Sequence, residues 1–429
     1  MATTFLTRAN STPTSSKIFT ISTWLKRCET GTAYTAFVSF WQDASNRISF
    51  GFVNNELEIY GQNGGSQNAF LETSRLFRDI SAWYHIVIAV DTTQATAADR
   101  IKIYVNGVQE TAFENSTYPT QNLDIAGLNS NSNIASWNNT GSEYFNGLMS
   151  YTAFVDGTAY DASYFGETNA ATGIWKIKTS PSVTYGTNGF FLKMDTSSPG
   201  SDTSGNDNTF TASGTPTLAQ DNASNNLATG NPLYFTNSSW TTSLTNGNNT
   251  FTGHTGTNSY PTLASTIAMP SSGKWYAEFK QTSSSPNYYL GVTTPTNMLF
   301  TSRQALYPNY NSEGTTGDNA YAVYGSNFEK YIKENGGTNS SSSYGATVTT
   351  SQNDIMSIAC DLDNNNLYFA INGVWHNSGD PESGSTGTGA ISILNDEYLF
   401  FMGDGDGSAD ASGAANFGNG FFGVTAVTT

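Results

Sequence analysis

Hydrophobic and polar residues alternate along short segments of this chain, the pattern of β-strands that bury one face. Ile101-Lys-Ile-Tyr-Val105 in the first half and Leu367-Tyr-Phe-Ala-Ile371 in the second each run into an Asn-Gly pair. Asn-Gly suits a tight hairpin turn because both central residues need positive φ. A strand-like segment ending in Asp precedes each copy, at 83–91 and 354–363. Each half therefore predicts strand, acidic turn, strand, Asn-Gly turn and a further strand.

Other strand-like segments fill both halves, and no long stretch shows the 3.6-residue period of an amphipathic helix. They lie at residues 18–25, 35–41, 48–53, 56–60, 190–194, 274–279, 288–292 and 397–402. Residues 195–230 are rich in Ser, Thr, Asn, Asp and Gly, a composition typical of linkers, although the Thr and Asn content leaves room for short edge strands. The sequence predicts an all-β protein with one β-sandwich domain at 1–194, a polar linker at 195–230 and a second sandwich at 231–429.

The amino-acid composition is consistent with a β-sheet protein and argues against two classes of partner. Aromatic residues make up 13% of the 429 residues, and such side chains pack well on pleated sheets. Charged residues make up 12%, about half the usual share, and the formal net charge is −17. Nucleic acids and anionic membrane surfaces require Lys/Arg clusters, which the sequence lacks, so we expect neither as a partner.

Cellular location is predicted from the first residues and from the two cysteines. The N-terminal residues lack the apolar region and the small-residue cleavage site of a secretory signal, so we expect synthesis in a host cytoplasm. Cys28 and Cys360 are too few for a disulfide framework. Both are interpreted as small buried apolar side chains.

The motifs of the two halves resemble known modules. The first half resembles a laminin-G/pentraxin-type module of the concanavalin A-like lectin superfamily, through residues 83–91, 101–108 and 145–148. The second half is similar to a SPRY (B30.2-like) module, through residues 273–278, 290–292, 354–363, 367–374 and 416–418. Both resemblances imply two-sheet jelly-roll folds. We therefore expect two tandem concanavalin A-like sandwiches.

A further resemblance concerns the setting in which these modules occur. Four segments are similar to stretches in structural proteins of marine tailed phages, at residues 165–168, 173–176, 185–190 and 202–206. Those proteins carry lectin-like modules on virion appendages. The resemblance implies a virion surface location, capsid or tail proteins as partners, and a homo-oligomer as a plausible state, although fold alone does not fix function.

Catalysis is not expected. Retaining glycoside hydrolysis needs two carboxylates about 5–5.5 Å apart. Glu56 and Glu58 have same-face spacing, as do Asp361 and Asp363, but each pair adjoins a turn and is interpreted as solvated. The Glu-x-Asp-x-x-Glu arrangement of superfamily glucanases is absent. The three histidines are scattered, at His85, His254 and His376, and no nucleophile motif accompanies them.

The candidate metal site is an acidic loop at 403–410. Asp404, Asp406 and Asp410 alternate with glycines there and could supply oxygen ligands to Ca²⁺, the candidate cofactor. The loop lacks the bidentate glutamate of an EF-hand, and the sequence favours the alternative, a solvated acidic loop between two strands. Asp195, Asp202 and Asp207 form a looser cluster with the same two interpretations.

Candidate carbohydrate-binding residues are aromatic side chains in polar loops, where a ring can stack on a sugar and neighbouring amides can bind its hydroxyls. Trp137 and Trp375 fit best, and Tyr118 and Tyr344 are weaker candidates. Packing beneath the loop is the alternative for each of them. Three other tryptophans lie within strand patterns and are predicted to be core, namely Trp24, Trp83 and Trp275.

Taken together, the sequence favours a non-enzymatic virion surface protein, as a fibre, an appendage or a capsid decoration. Its lectin-like modules would bind host-surface glycans. One alternative is a purely structural decoration protein that binds only capsid or tail subunits. The other is a polysaccharide-degrading enzyme.

Overall fold

A computed structural model describes residues 4–195, 198–234, 243–252, 262–296, 318–337, 340–405, 411–419 and residue 422. The chain divides into two compact units, residues 1–226 and 227–429. Within the described residues, helical structure is limited to short 3₁₀ turns, including those at Ala97–Asp99, Ala162–Tyr164, Pro232–Tyr234, His376–Ser378 and Gly384–Thr386. The predicted all-β sandwich fold is confirmed.

No helix in the described part of the chain has the length and apolar character needed to span a bilayer.

The first unit contains two antiparallel sheets that enclose one core. In spatial order, the eight-stranded sheet contains β10 (Phe113–Thr117), β6 (Ser66–Leu76), β5 (Glu56–Asn63), β4 (Asn46–Val53), β3 (Thr35–Asp43), β11 (Asn131–Ile134), β1 (Phe5–Ala9) and β16 (Thr211–Ser213). The six-stranded sheet contains β15 (Phe190–Leu192), β12 (Gly147–Asp156), β2 (Ile18–Arg27), β7 (Tyr84–Asp91), β8 (Ile101–Val105) and β9 (Val108–Glu110). A separate hairpin pairs β13 (Gly166–Thr168) with β14 (Trp175–Ile177).

The second unit repeats this architecture. Its larger sheet contains β17 (Ser243–Thr245), β18 (Thr250–Thr252), β30 (Gly413–Asn416), β20 (Lys274–Gln281), β25 (Ile355–Asp361), β26 (Asn366–Ile371) and β27 (Val374–Trp375), with β28 (Ile391–Ser392) paired to β26. Its six-stranded sheet contains β19 (Thr262–Ala264), β29 (Leu399–Asp404), β21 (Tyr288–Thr293), β22 (Ala320–Tyr324), β23 (Lys330–Lys333) and β24 (Ser340–Ser342). Cys360 lies in the core of this unit and Cys28 is buried in the first, as predicted.

The repeated Asn-Gly hairpin is confirmed in both units. Asn106 and Gly107 have φ of 48° and 82°, and Asn372 and Gly373 have φ of 47° and 79°. The asparagine side chain has the same second role in each unit, because its Oδ1 accepts a hydrogen bond from a backbone N–H at the start of the neighbouring strand, β7 or β25, which pairs with the first strand of the hairpin. The acceptor is 2.8 Å from the nitrogen of His85 in the first unit and 2.9 Å from that of Ile355 in the second. This contact explains why asparagine occupies both turns.

The two turn glycines differ in their surroundings, which gives a matched test. A Cβ at Gly107 would lie 2.6 Å from ring atoms of Trp175, whereas a Cβ at Gly373 would meet nothing within 4 Å. Gly373→Ala should cost about 1–2 kcal/mol of unfolding free energy, from left-handed strain alone. Gly107→Ala should cost about 1–3 kcal/mol more, because the indole must move. Urea unfolding of the full-length variants measures both, and equal costs would contradict the steric argument.

The segment predicted as a linker is part of the first sandwich in the structure. Within 198–226, β16 pairs with β1, and the Phe210 side chain packs into the first core. Asp202 accepts hydrogen bonds from the backbone N–H groups of Phe191 and Asn208. Because polar side chains here bind backbone groups of the sandwich, a Ser/Thr/Asn-rich composition is compatible with an ordered closing segment. The first unit therefore extends to residue 226.

Candidate functional site

The candidate site lies on the outer face of the eight-stranded sheet of the first unit, the face directed away from its core. Strands alternate their side chains between faces. On β4, β5 and β6 the inward positions fill the core with Ile48, Phe50, Phe52, Leu57, Ile59, Ala69 and Leu71. The intervening outward positions hold Arg47, Ser49, Glu58, Tyr60 and Phe70. A run of polar and aromatic side chains thus crosses three adjacent strands.

The loop at residues 135–144 forms one wall of this site. Ser39 Oγ on β3 donates to the carbonyl oxygen of Ser136 at 3.0 Å, and Trp137 N–H donates to the carbonyl oxygen of Ser142 at 3.0 Å. These bonds hold the Trp137 ring against Trp41, edge to face, with centroids 4.8 Å apart. The indole is fixed before any ligand arrives.

Between this loop and the strands lies a pocket of about 330 Å³, within the size range of small-molecule sites. Four aromatic rings and two carboxyl groups contribute to its lining. The lining residues are Tyr34, Arg47, Ser49, Glu58, Tyr60, Phe70, Trp137 and Glu143. We call this space the Trp137 pocket.

Arg47 supplies the cationic side of the Trp137 pocket. The residue is 9% exposed, and its guanidinium carbon lies 4.9 Å from the Trp137 ring centroid and 5.5 Å from those of Trp41 and Tyr60. Among the described residues it forms no salt bridge, and its buried Nε has no hydrogen-bond partner. Burial lowers the pKa of Arg47. The aromatic rings compensate part of the charge.

Glu58 supplies a carboxyl group at another part of the pocket. Burial, and secondarily the charge of Glu72, raise the pKa of Glu58 to about 7. Glu72 lies directly opposite on β6. Tyr34 covers β4 at Gly51, because its ring occupies the space that a Cβ at Gly51 would need. The buried hydroxyl of Tyr34 has no hydrogen-bond partner of normal geometry in the described structure. The pocket therefore offers aromatic faces, a donor fork and a carboxyl group.

The predicted carbohydrate-binding residues fall in different places. Trp137 lines the pocket. Tyr118 is half-buried and packs against the first core, and Trp375 is half-buried beside Tyr368 at the edge strand β27. Tyr344 is 2% exposed in the second core, which corrects its prediction as an exposed platform. Tyr118, Tyr344 and Trp375 do not line the Trp137 pocket.

Part of the predicted metal loop can be located. Asp404 ends β29 and is buried. Asp406 and Asp410 lie outside the described residues. Across the described part of the chain, no group of three or more His, Cys, Asp or Glu side chains could hold a metal ion. The Ca²⁺ site therefore stays a prediction.

Two interpretations of individual side chains need correction. Glu58 is half-buried and lines the pocket rather than being solvated at a turn, because β5 continues beyond it and carries it onto the outer face. Trp275 is 39% exposed at the start of β20, where its Nε1–H donates to the Ser272 carbonyl oxygen. Trp24 and Trp83 are buried as predicted.

Sequence reasoning missed Arg47, Tyr60 and Phe70. The available signal was the presence of large aromatic side chains at outward positions of consecutive strands, where solvent-facing polar residues are usual. Strand register brings these side chains together, since Tyr60 lies opposite both Ser49 and Phe70. That register is set by turn and bulge geometry along β3–β6, which a single strand pattern does not show.

Part of the chain is similar to a known protein family. Residues 3–162 match the family model described as the Concanavalin A-like lectin/glucanases superfamily. The matched segment includes every residue that lines the Trp137 pocket. No curated protein matches the chain.

Several solved structures are similar to parts of the chain at low identity. The SPRY domain of human HERC1 is 12% identical, covers 41% of this chain and 90% of its own, and has a TM-score of 0.28. The SAP-like pentraxin of Limulus polyphemus is 18% identical over 37% of this chain and 71% of its own, with a TM-score of 0.27. Domains LG4-5 of the mouse laminin α1 chain are 8% identical over 93% of this chain and 81% of theirs, with a TM-score of 0.29.

Proposed function

We propose that this chain is a non-enzymatic virion surface protein, as a fibre, an appendage or a capsid decoration, whose first unit binds host-surface glycans in the Trp137 pocket. The observation that carries the binding proposal is the pocket itself, which combines a fixed indole with polar groups on one sheet face. The family match supports it, because lectins and glucanases both engage carbohydrate and the pocket lies within the matched residues.

The chemistry of the Trp137 pocket suits a sugar. The apolar C–H face of a pyranose ring can stack on Trp137, Tyr60 or Phe70. Its hydroxyls can accept hydrogen bonds from Arg47 and donate them to Glu58. A site of this kind needs few polar groups because orientation comes from their placement and affinity from the aromatic faces.

The virion location rests on separate support. The surface is poor in charge and rich in neutral hydrogen-bonding residues, and the pairing of two lectin-like modules resembles phage structural proteins. Capsid or tail subunits are the proposed protein partners. In the structural alternative, sandwich faces bind those subunits and no sugar is bound.

Glycan binding predicts a specific effect of Trp137. The full chain should bind a subset of an immobilised glycan panel, and Trp137→Ala should weaken that binding about tenfold or more, as for a central aromatic anchor. Trp275→Ala is the matched control, since Trp275 is 39% exposed, belongs to the second unit and does not line the pocket. No binding to any glycan, with and without Ca²⁺, would refute the recognition part of the proposal.

The virion location is tested by labelling intact particles from the source lysate with an antibody to this chain, followed by electron microscopy. Label on the capsid or tail is expected, and its position separates a decoration from a fibre. Unlabelled particles would refute the virion proposal. Reducing ends released from host polysaccharide, and lost in Glu58→Gln, would instead identify an enzyme.

A further inference from the structure

We infer that the Trp137 pocket selects acidic glycans, with Arg47 pairing to the carboxylate of a uronic-acid-type sugar. This inference rests on the proposed glycan-binding function and narrows its ligand class. The first observation behind it is the state of Arg47. An arginine residue that is 9% exposed and forms no salt bridge with a described residue is unusual, because buried charges are normally paired.

The aromatic contacts of Arg47 prepare it for such a partner. The rings of Trp41, Tyr60 and Trp137 surround the guanidinium, with centroids 4.9–5.5 Å from its carbon, so the side chain is confined and little side-chain entropy remains to be lost on binding. The N–H groups of the guanidinium are the part that can donate hydrogen bonds. A planar fork of N–H donors matches the two oxygens of a carboxylate. A neutral hydroxymethyl group at the same place offers one oxygen instead of two and carries no charge, so it cannot form the paired, charge-assisted bonds.

The second observation is that Glu58, the half-buried acidic residue of the pocket, lies away from Arg47 along the strands. Glu58 is opposite Gly51, which is four residues beyond Arg47 on β4, so the two backbones are separated by about 13 Å along the strands. Glu72 lies beside Glu58, and Glu143 is an exposed residue of the covering loop. A sugar carboxylate at Arg47 would therefore avoid direct contact with the Glu58 and Glu72 carboxyl groups. Hydroxyls elsewhere on the glycan could reach Glu58.

The net charge of the chain means that an acidic glycan could bind only through contacts at a particular site. At −17, the protein repels anionic polymers at long range, so general electrostatic attraction cannot explain binding of an acidic glycan. Binding must come from contacts at one site. Added salt should weaken the contact between Arg47 and the sugar carboxylate only moderately, because a buried ion pair is little affected by dissolved ions.

The test compares one polysaccharide in two forms, native with uronic acids and after chemical reduction of the carboxyl groups to hydroxymethyl groups. Neutral polysaccharides are included in the same panel. The full chain should bind the native form at least about tenfold more tightly than the reduced form. Arg47→Lys, which keeps the charge but loses the planar fork, should abolish that preference. Arg78→Lys, at an exposed position, is the matched control and should leave it unchanged.

The outcomes separate this inference from the proposed function. Equal binding of native and reduced forms, or equal weakening of both by Arg47→Lys, would overturn the inference and leave glycan binding intact. Binding of neutral polysaccharides alone would do the same. Absence of binding to every polysaccharide would overturn the proposed function and the inference with it. Thermal unfolding of each variant confirms that the protein compared is folded.

Discussion

Replacing Asp221 with alanine is expected to destabilise the first unit by about 3–5 kcal/mol, because it removes one partner of a fully buried ion pair. Lys26 Nζ lies 2.8 Å from Asp221 Oδ2, and the two side chains are 1% and 0% exposed. Trp83 Nε1–H also donates to Asp221 Oδ1, at 2.8 Å. Without the carboxylate, the ammonium of Lys26 would lose its counter-ion in a site closed to water. Urea unfolding of the full chain measures the loss.

An exposed ion pair of the same unit provides the control for this effect. Lys102 and Asp99 are 3.1 Å apart, with side chains that are 35% and 45% exposed. Asp99→Ala should therefore cost less than about 1 kcal/mol. The double variant Lys26→Met/Asp221→Leu should recover much of the loss, because it leaves no unpaired charge. A cost for Asp221→Ala no larger than that for Asp99→Ala would contradict the buried-pair argument.

Asp221 also shows where prediction from sequence was incomplete. The hairpins were predictable because their information is local: alternation gives the strands, and Asn106-Gly107 or Asn372-Gly373 gives the turn. The segment that carries Asp221 has no such local signal. Its order depends on Lys26, which is 195 residues away, and on the backbone groups that its polar residues bind. Composition alone therefore indicated a linker where the structure has a closing segment.

The residues of the candidate site also fall into two groups, those with a local sequence signal and those without one. Trp137 was predictable as a loop aromatic among amides, and it lines the pocket. Tyr344 had the same local appearance, yet it is buried against Phe369 because the surrounding loop packs onto the second core. Glu58 and Arg47 acquire their roles from the register of β3–β6. Loop chemistry thus identified one wall of the pocket, and only the assembled sheet identified the opposite wall.

Glu58→Gln is expected to stabilise the first unit at alkaline pH and to have little effect in acid. The pKa of Glu58 is about 7 in the folded chain, against an ordinary value of 4.5, and burial is the main cause. A carboxyl group whose pKa is raised by folding contributes stability that is fully present below its unfolded pKa. That contribution is lost as pH rises through 7. The shift corresponds to at most about 3 kcal/mol above pH 8.

The groups around Glu58 support the sign of this effect. Glu72 faces it from β6 and opposes ionisation, and the buried Tyr34 hydroxyl covers it on the β4 side. Arg47 and Glu143 line the same pocket, but burial and Glu72 are the causes of the shift. Glutamine keeps the shape of the side chain and cannot ionise. Glu58→Gln should therefore remove the loss of unfolding free energy that ionisation of Glu58 causes, and should change little else.

Urea unfolding of the wild type and Glu58→Gln at pH 4 and pH 8 measures this difference. Glu114→Gln, at an exposed position of β10, removes the same formal charge and should change stability by less than about 0.5 kcal/mol at both pH values. Equal effects of Glu58→Gln at the two pH values would show that this carboxyl titrates normally. If the difference appears and glycan affinity falls in the same variant, the wild type retains a destabilising carboxyl group because its ionised form binds the ligand.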